Sequence, residues 1–269
     1  MSEIINAIGL GIIQGLTEFL PISSSGHLEI ANYLLGTSSA HSNLLMTVVV
    51  HVATALSTIV VFRREVGQLL YGFFKFGRSD EFAFCCKIAV SMIPAALVGL
   101  CFEEQVDSLF KQNMLLVGSM LGVTGLLLLF ADWKKSGNRS VGYLDAAVIG
   151  IAQAVAILPG ISRSGATIGT SLLLGIDRST AARFSFLMVV PLIFGKIAKD
   201  VLDSIISGEP LVGTSQQWPL MAGFAAAFFT GLLACNWMIR IVKASKLYYF
   251  AFYCFAVAAL TIAAGLKWY

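Results

Sequence analysis

The 269-residue chain is 57 % hydrophobic and 12 % charged, with a mean hydropathy of +0.83, whereas soluble domains carry about 25 % charged residues. That excludes a soluble globular protein and points to an all-α integral membrane protein forming one membrane domain over 1–269. The formal charge of +3, with no basic cluster interleaved with aromatics, excludes nucleic acid as a partner.

The chain opens MSEIINAIGLGII, with no basic n-region and no small-residue cleavage site after it, so this segment reads as retained and not as a cleaved signal. The first predicted element, 4–36, is an apolar stretch, a Pro/Ser/Gly break (LPISSSGH) and a short apolar stretch ending LLG. The arm after the break, about nine or ten residues, is too short to cross a ~30 Å hydrocarbon core by itself. Three apolar runs follow at 43–62, 84–102 and 114–131, each long enough to span. A second broken segment, 143–175, repeats the first pattern around ILPGISRSGAT, and three more spans follow at 184–203, 219–239 and 247–267. Pro94 and Pro191 fall inside spans, as expected of kinks that membrane helices tolerate. Lys196, Lys199 and Asp200 form a polar turn in one span, expected to snorkel or pair near its end. The five cysteines, Cys85, Cys86, Cys101, Cys235 and Cys254, have no metal-like spacing and read as small packing residues.

Broken backbone at membrane depth persists only where protein or a watery cavity satisfies its polar groups. Each broken segment therefore reads as a re-entrant helical hairpin. The two are copies: GIIQGLTEFLPISSSGHLEIANYLLG from Gly11 aligns without a gap on GIAQAVAILPGISRSGATIGTSLLLG from Gly150, a constant offset of 139, with ten of 26 positions identical. The identities include polar positions, Gln14 with Gln153, Ser23 with Ser162 and Ser25 with Ser164. Three spans after each hairpin reverse the chain, so the repeat is expected to be inverted in topology, repeat 1 over about 1–131 and repeat 2 over about 143–269.

Basic residues sort by the same count. Arg63, Arg64, Lys75 and Arg78, then Lys134, Lys135 and Arg139, then Arg178 and Arg183, and last Arg240, Lys243 and Lys246 all fall on one predicted face. The other face has mainly Lys111 and Lys267 beside Glu103, Glu104, Asp107, Asp203 and Glu209. The positive-inside rule makes the first face cytoplasmic. The first hairpin then enters from outside, the second from the cytoplasm, and their tips should meet near the midplane.

Charged groups at that depth are costly and line functional cavities or pair with one another. Gln14 and Glu18, spaced i, i+4, share one helix face. Ser24 and His27 occupy the first break, and Arg163 faces them from the second. Ser162, Arg163, Ser164 and Thr167, with Gly160 and Gly165 leaving backbone amides open, form a loop of the kind that cradles phosphate oxygens. Each assignment has a plainer competitor. A Glu18–Arg163 pair could simply close the interface between hairpins, Ser23, Ser25 and Ser164 could cap helix ends, and His27 could be a satisfied interior hydrogen-bonder. His51, mid-span, could line the same cavity.

QGLTEFLPISSSGH and PGISRSGAT resemble the undecaprenyl-diphosphate phosphatase family of the bacitracin-resistance type, whose signatures (E/Q)xxxE and PGxSRSxxT are both complete here. LLLGIDRSTAARFSFLMVVP after the second signature extends the likeness. The resemblance implies a membrane enzyme that hydrolyses undecaprenyl diphosphate to undecaprenyl phosphate and inorganic phosphate in the bacterial inner membrane, with its site open to the outer side. It carries the first motif onto Gln14 and Glu18, a serine and a histidine onto Ser24 and His27, and phosphate binding onto Ser162, Arg163 and Thr167. Many members have glutamate where this chain has Gln14, which leaves Glu18 as the main carboxylate. The resemblance also implies a divalent metal, Mg²⁺ or Ca²⁺, on Glu18 and Gln14. For the nucleophile, Ser24 activated by His27 or Glu18, His27 itself, and water all remain open.

Expected partners are the bilayer and a polyprenyl diphosphate lipid; a homo-oligomer is compatible with the sequence. The rival class is a secondary transporter or polyprenyl-phosphate flippase, since opposed broken helices also build transport sites.

Overall fold

In a computed structural model, residues 2–35, 40–74, 79–109, 113–134, 137–207, 217–244 and 246–266 are described. Lys75, Arg78, Lys111, Lys135, Glu209 and Lys267, which enter the charge count above, lie outside them. The described residues form twelve helices: α1 (Ser2–Thr17), α2 (Ser24–Leu35), α3 (Ala40–Val61), α4 (Arg63–Phe74), α5 (Asp80–Cys101), α6 (Glu103–Leu109), α7 (Met114–Trp133), α8 (Tyr143–Val155), α9 (Arg163–Leu173), α10 (Arg178–Ser207), α11 (Gln217–Lys243) and α12 (Tyr248–Leu266).

Five of these, α5, α7, α10, α11 and α12, are long and apolar enough to cross a membrane, and α3 taken with α4 makes a sixth. The protein is a multi-pass membrane protein. Leu97, Leu126, Phe130, Leu233, Phe252 and Leu260 stand exposed on the outer faces of the spanning helices, where lipid in place of water removes the penalty for apolar exposure. Trp133 and Trp218 lie exposed at helix ends, the level at which amphipathic rings settle in a bilayer. Helices α5 and α10 run on through Pro94 and Pro191.

Sequence reading leaves 63–83 as a loop, but the chain turns by 84° after Val61 and continues as α4, with Phe62 buried at the corner. Of the cysteines, Cys235 and Cys254 are buried as packing residues, whereas Cys101 is exposed.

The two broken segments form the helix pairs α1/α2 and α8/α9, each helix 16 residues or shorter. Under the 139-residue offset, α1, α3, α5 and α7 correspond to α8, α10, α11 and α12. The packing exchanges partners accordingly: α1 lies along α11 and α8 along α5, while α7 pairs with α12 and α3 with α10. Small residues allow the α1–α11 contact. A Cβ on Gly11 would lie 2.9 Å from Ala226 Cβ, and one on Gly15 would lie 2.6 Å from Ala227 O and 2.9 Å from Gly231 N. Small faces of this kind let membrane helices approach backbone to backbone, where dispersion contacts and not the hydrophobic effect drive association.

Candidate active site

Both hairpin breaks use the same local device. Helices α2 and α9 begin at Ser24 and Arg163, equivalent positions in the repeat. The serine before each accepts a hydrogen bond from the glycine amide three residues on: Gly26 N to Ser23 Oγ at 3.1 Å, Gly165 N to Ser162 Oγ at 3.0 Å. Ser25 and Ser164 then sit 3.3 and 3.2 Å from those hydroxyls. Ser23 and Ser162 are thus helix caps, which explains why the repeat keeps them: an open first turn needs an acceptor. Ser23 differs in having φ +71°, an uncommon left-handed conformation that costs about 1–3 kcal/mol and concentrates at functional sites.

The two tips touch. Ser164 Oγ donates to Leu20 O at 3.2 Å, and a Cβ on Gly26 would lie 3.1 Å from Gly160 Cα. Thr124 on α7 fastens the second tip, accepting from Ser162 N at 3.0 Å and lying 3.2 Å from Gly160 O.

Glu18 stands at the junction, its side chain 5 % exposed. One carboxylate oxygen meets the Arg163 guanidinium. The other accepts from Ser24 Oγ at 2.7 Å and from Gln14 Nε2 at 2.9 Å, and lies 3.8 Å from His51 Nε2. Of the residues singled out in the sequence, Gln14, Glu18, Ser24, Arg163 and His51 therefore converge. His27 points elsewhere: its Nδ1 lies 2.7 Å from Ser23 O, and its Nε2 lies 2.8 Å from Tyr253 Oη, the two rings stacked at 5.6 Å. A carbonyl can only accept, so Nδ1 carries the proton and the Tyr253 hydroxyl donates to Nε2.

The phosphate-loop residues divide similarly. Ser162 and Gly165 spend a hydroxyl and an amide on the cap, and Thr167 is buried against Ser185 Oγ at 2.6 Å. Arg163 and Ser164 line a cleft with Glu18, Thr54, Thr58, Ser185 and the apolar Phe186, Val189 and Ile193. Two short helices aim their amino ends at this place, and a helix amino end favours anions through its unpaired amides and dipole.

The oxygens at hand for a divalent ion are the Glu18 carboxylate, Ser24 Oγ and Gln14 Oε1, the last buried with no hydrogen-bond partner. Among the described residues no three His, Cys, Asp or Glu side chains gather. So few oxygens suit a hard ion whose shell is completed by substrate phosphates and water, the usual habit of Mg²⁺.

Sequence reasoning missed Thr124, Ser185 and Tyr253, isolated hydroxyls in apolar helices that no spacing betrays. Thr54 and Thr58 continue His51 along one face of α3 at +3 and +7, a polar stripe the periodicity could have exposed.

A family model described as bacitracin resistance protein BacA matches residues 7–260. The chain is 57 % identical over 261 residues to a protein of Christiangramia forsetii named undecaprenyl-diphosphatase, covering 97 % of each chain. It is 47 % identical to one of that name from Bacteroides fragilis, again over 97 % of each, and 38 % identical to one from Methanococcus vannielii over 94 % of this chain and 97 % of that one. With both signatures meeting at one buried carboxylate and a match across nearly its whole length, the chain belongs to the bacitracin resistance protein BacA family.

Proposed function

We propose that the chain is a membrane-embedded phosphatase that hydrolyses undecaprenyl diphosphate to undecaprenyl phosphate and inorganic phosphate, recycling the lipid carrier of cell-wall synthesis and conferring bacitracin resistance. The observation that carries the reading is the 2.7 Å hydrogen bond from Ser24 Oγ to a carboxylate whose other oxygen holds Arg163. A nucleophile, its base and a phosphate-binding cation are thereby within one substrate's reach.

Ser24 Oγ attacks the terminal phosphorus while its proton passes to Glu18. The bond from that phosphorus to the bridging oxygen breaks, and undecaprenyl phosphate leaves with the oxygen. Water then attacks the phosphoserine, giving inorganic phosphate and restoring the Ser24 hydroxyl. Arg163 moves from the Glu18 carboxylate to the phosphoryl oxygens, where a guanidinium binds bidentately. The amino ends of α2 and α9 draw the same oxygens through their dipoles and the amides the caps leave open, so positioning and electrostatics do most of the catalysis. Glu18 and Gln14 would hold a divalent ion, Mg²⁺ or Ca²⁺, which when bound offsets phosphate charge. His27, clasped between Ser23 and Tyr253, fixes the first turn of α2 and hence Ser24.

The exchanged helix packing supports an inverted repeat, and the placement of basic residues supports a bacterial inner-membrane protein whose site opens outward. The test is phosphate release from a long-chain polyprenyl diphosphate by purified protein in detergent, with and without chelator, for wild type and for folded Ser24→Ala, Glu18→Ala and Arg163→Ala variants. Release that collapses in all three is the expected result. No release by folded wild type supplied with Mg²⁺ or Ca²⁺ would overturn the reading and favour the flippase.

A further inference from the structure

The polar turn at Lys196 and Lys199 takes no part in the chemistry above. The cleft wall formed by α10 includes Ser185, Val189 and Ile193, residues four apart that share one helix face, and Lys196, three residues further on, continues that face. A helical side chain leans toward the amino end of its helix. For Lys196 this direction runs back toward Ile193 and Val189 at the cleft wall, with Ile197 packed beside them. The opposite wall is α3, where Ala55 packs with Val189 and Ile193. One turn before Ala55 stands His51, with Nε2 3.8 Å from Glu18. Arg163 and His51 therefore both approach Glu18 on the buried floor, and Lys196 stands exposed on α10, one turn beyond the cleft wall at Ile193.

A lipid diphosphate brings two phosphoryl groups into such a cleft, and Arg163 with Ser24 accounts for only the terminal one. We propose that Lys196 contacts the second phosphoryl group, the one that stays on the lipid, and so makes the cleft prefer a diphosphate to a monophosphate. The assignment rests on the phosphatase reading for the class of ligand. Lys196 is a specificity residue that touches substrate and takes no part in bond breaking.

The test compares binding of a non-hydrolysable polyprenyl methylene-diphosphonate and the matching polyprenyl monophosphonate to purified protein in detergent. Lys196→Gln should weaken the diphosphonate about 10- to 100-fold, the range of one charge-assisted hydrogen bond, and the monophosphonate less than about threefold. Lys196→Arg should keep the wild-type preference. An unchanged preference in Lys196→Gln, an equal loss for both analogues, or no preference in wild type would each overturn the assignment. Phosphate release from the same preparations separates the two readings. Turnover by wild type with a preference indifferent to Lys196 sinks the Lys196 assignment alone. A Lys196-dependent preference without turnover sinks the phosphatase and leaves the diphosphate site standing.

Discussion

Placing one methyl group on Gly15 tests whether the α1–α11 seam sets the geometry of the site. The new Cβ would lie 2.6 Å from Ala227 O and 2.9 Å from Gly231 N, and would overlap Thr230 Oγ1 as well. Ordinary contact begins near 3.4 Å, so α1 must retreat by about 0.8 Å. Overpacking of this kind costs about 1–3 kcal/mol. Gln14 precedes Gly15 and Glu18 follows within a turn, so the retreat carries both. The Ser24 Oγ to Glu18 bond, now 2.7 Å, would change by at most about 0.8 Å if α2 stayed in place, enough at the limit to take it beyond useful hydrogen-bond range. A misplacement near 1 Å can cost about 100-fold in rate. Gly15→Ala should therefore lower phosphate release about 10- to 100-fold, with a modest fall in the thermal unfolding midpoint measured in the same detergent. Adding Thr230→Ala removes the hydroxyl overlap but leaves both backbone contacts, so recovery should be partial. Gly9, on the same helix, has open space where its Cβ would lie, and Gly9→Ala should be neutral or slightly stabilising. A Gly15→Ala protein with wild-type rate would refute the link between seam and site.

Glu18→Gln should lower turnover at least about 100-fold and also destabilise the protein, because a half-buried Arg163 loses its counter-charge. Glu18→Gln with Arg163→Gln should regain thermal stability without regaining activity; recovery of both would make the pair architectural. Tyr253→Phe removes the hydrogen bond to His27 and should cost about two- to tenfold in kcat, while wild-type kinetics in that variant would leave the clasp without a role. Thr124→Val strands the buried Ser162 amide and should lower stability by about 1–3 kcal/mol, read as the shift in thermal unfolding.

The broken segments and the spans were legible because a bilayer admits so few solutions. A Pro/Gly/Ser break inside an apolar run has to be sheltered by protein, and the constant offset between GIIQGLTEF and GIAQAVAIL pairs the two breaks. The charged members of the site were legible for the same reason, since Glu18 and Arg163 at that depth need each other. The hydroxyls were harder. Ser23 and Ser24 are neighbours of one residue type, yet the first caps a helix and the second reaches Glu18, and only the direction of each Cβ separates them. His27 looks like a partner for Ser24 three residues away, but the tyrosine that claims it is 226 residues distant, and no local spacing records such a contact. Helix α4 was hidden because its amphipathic pattern, with Leu69 buried and Leu70 and Tyr71 exposed, lies within a basic segment that reads as a loop.

Ser24 and Arg163 occupy the same slot in the two copies, the first residue after a capping serine. Two identical copies would offer either a pair of hydroxyls with no cation to draw a phosphate or a pair of guanidiniums repelling each other with no nucleophile. In the proposed mechanism the unsymmetrical bond needs an attacking side and an anchoring side, and one position on a duplicated scaffold supplies both by holding a serine in one copy and an arginine in the other. On that proposal neither half would act alone: severing the chain between the repeats would leave one fragment with a base and no anchor, and another with an anchor and nothing to attack with.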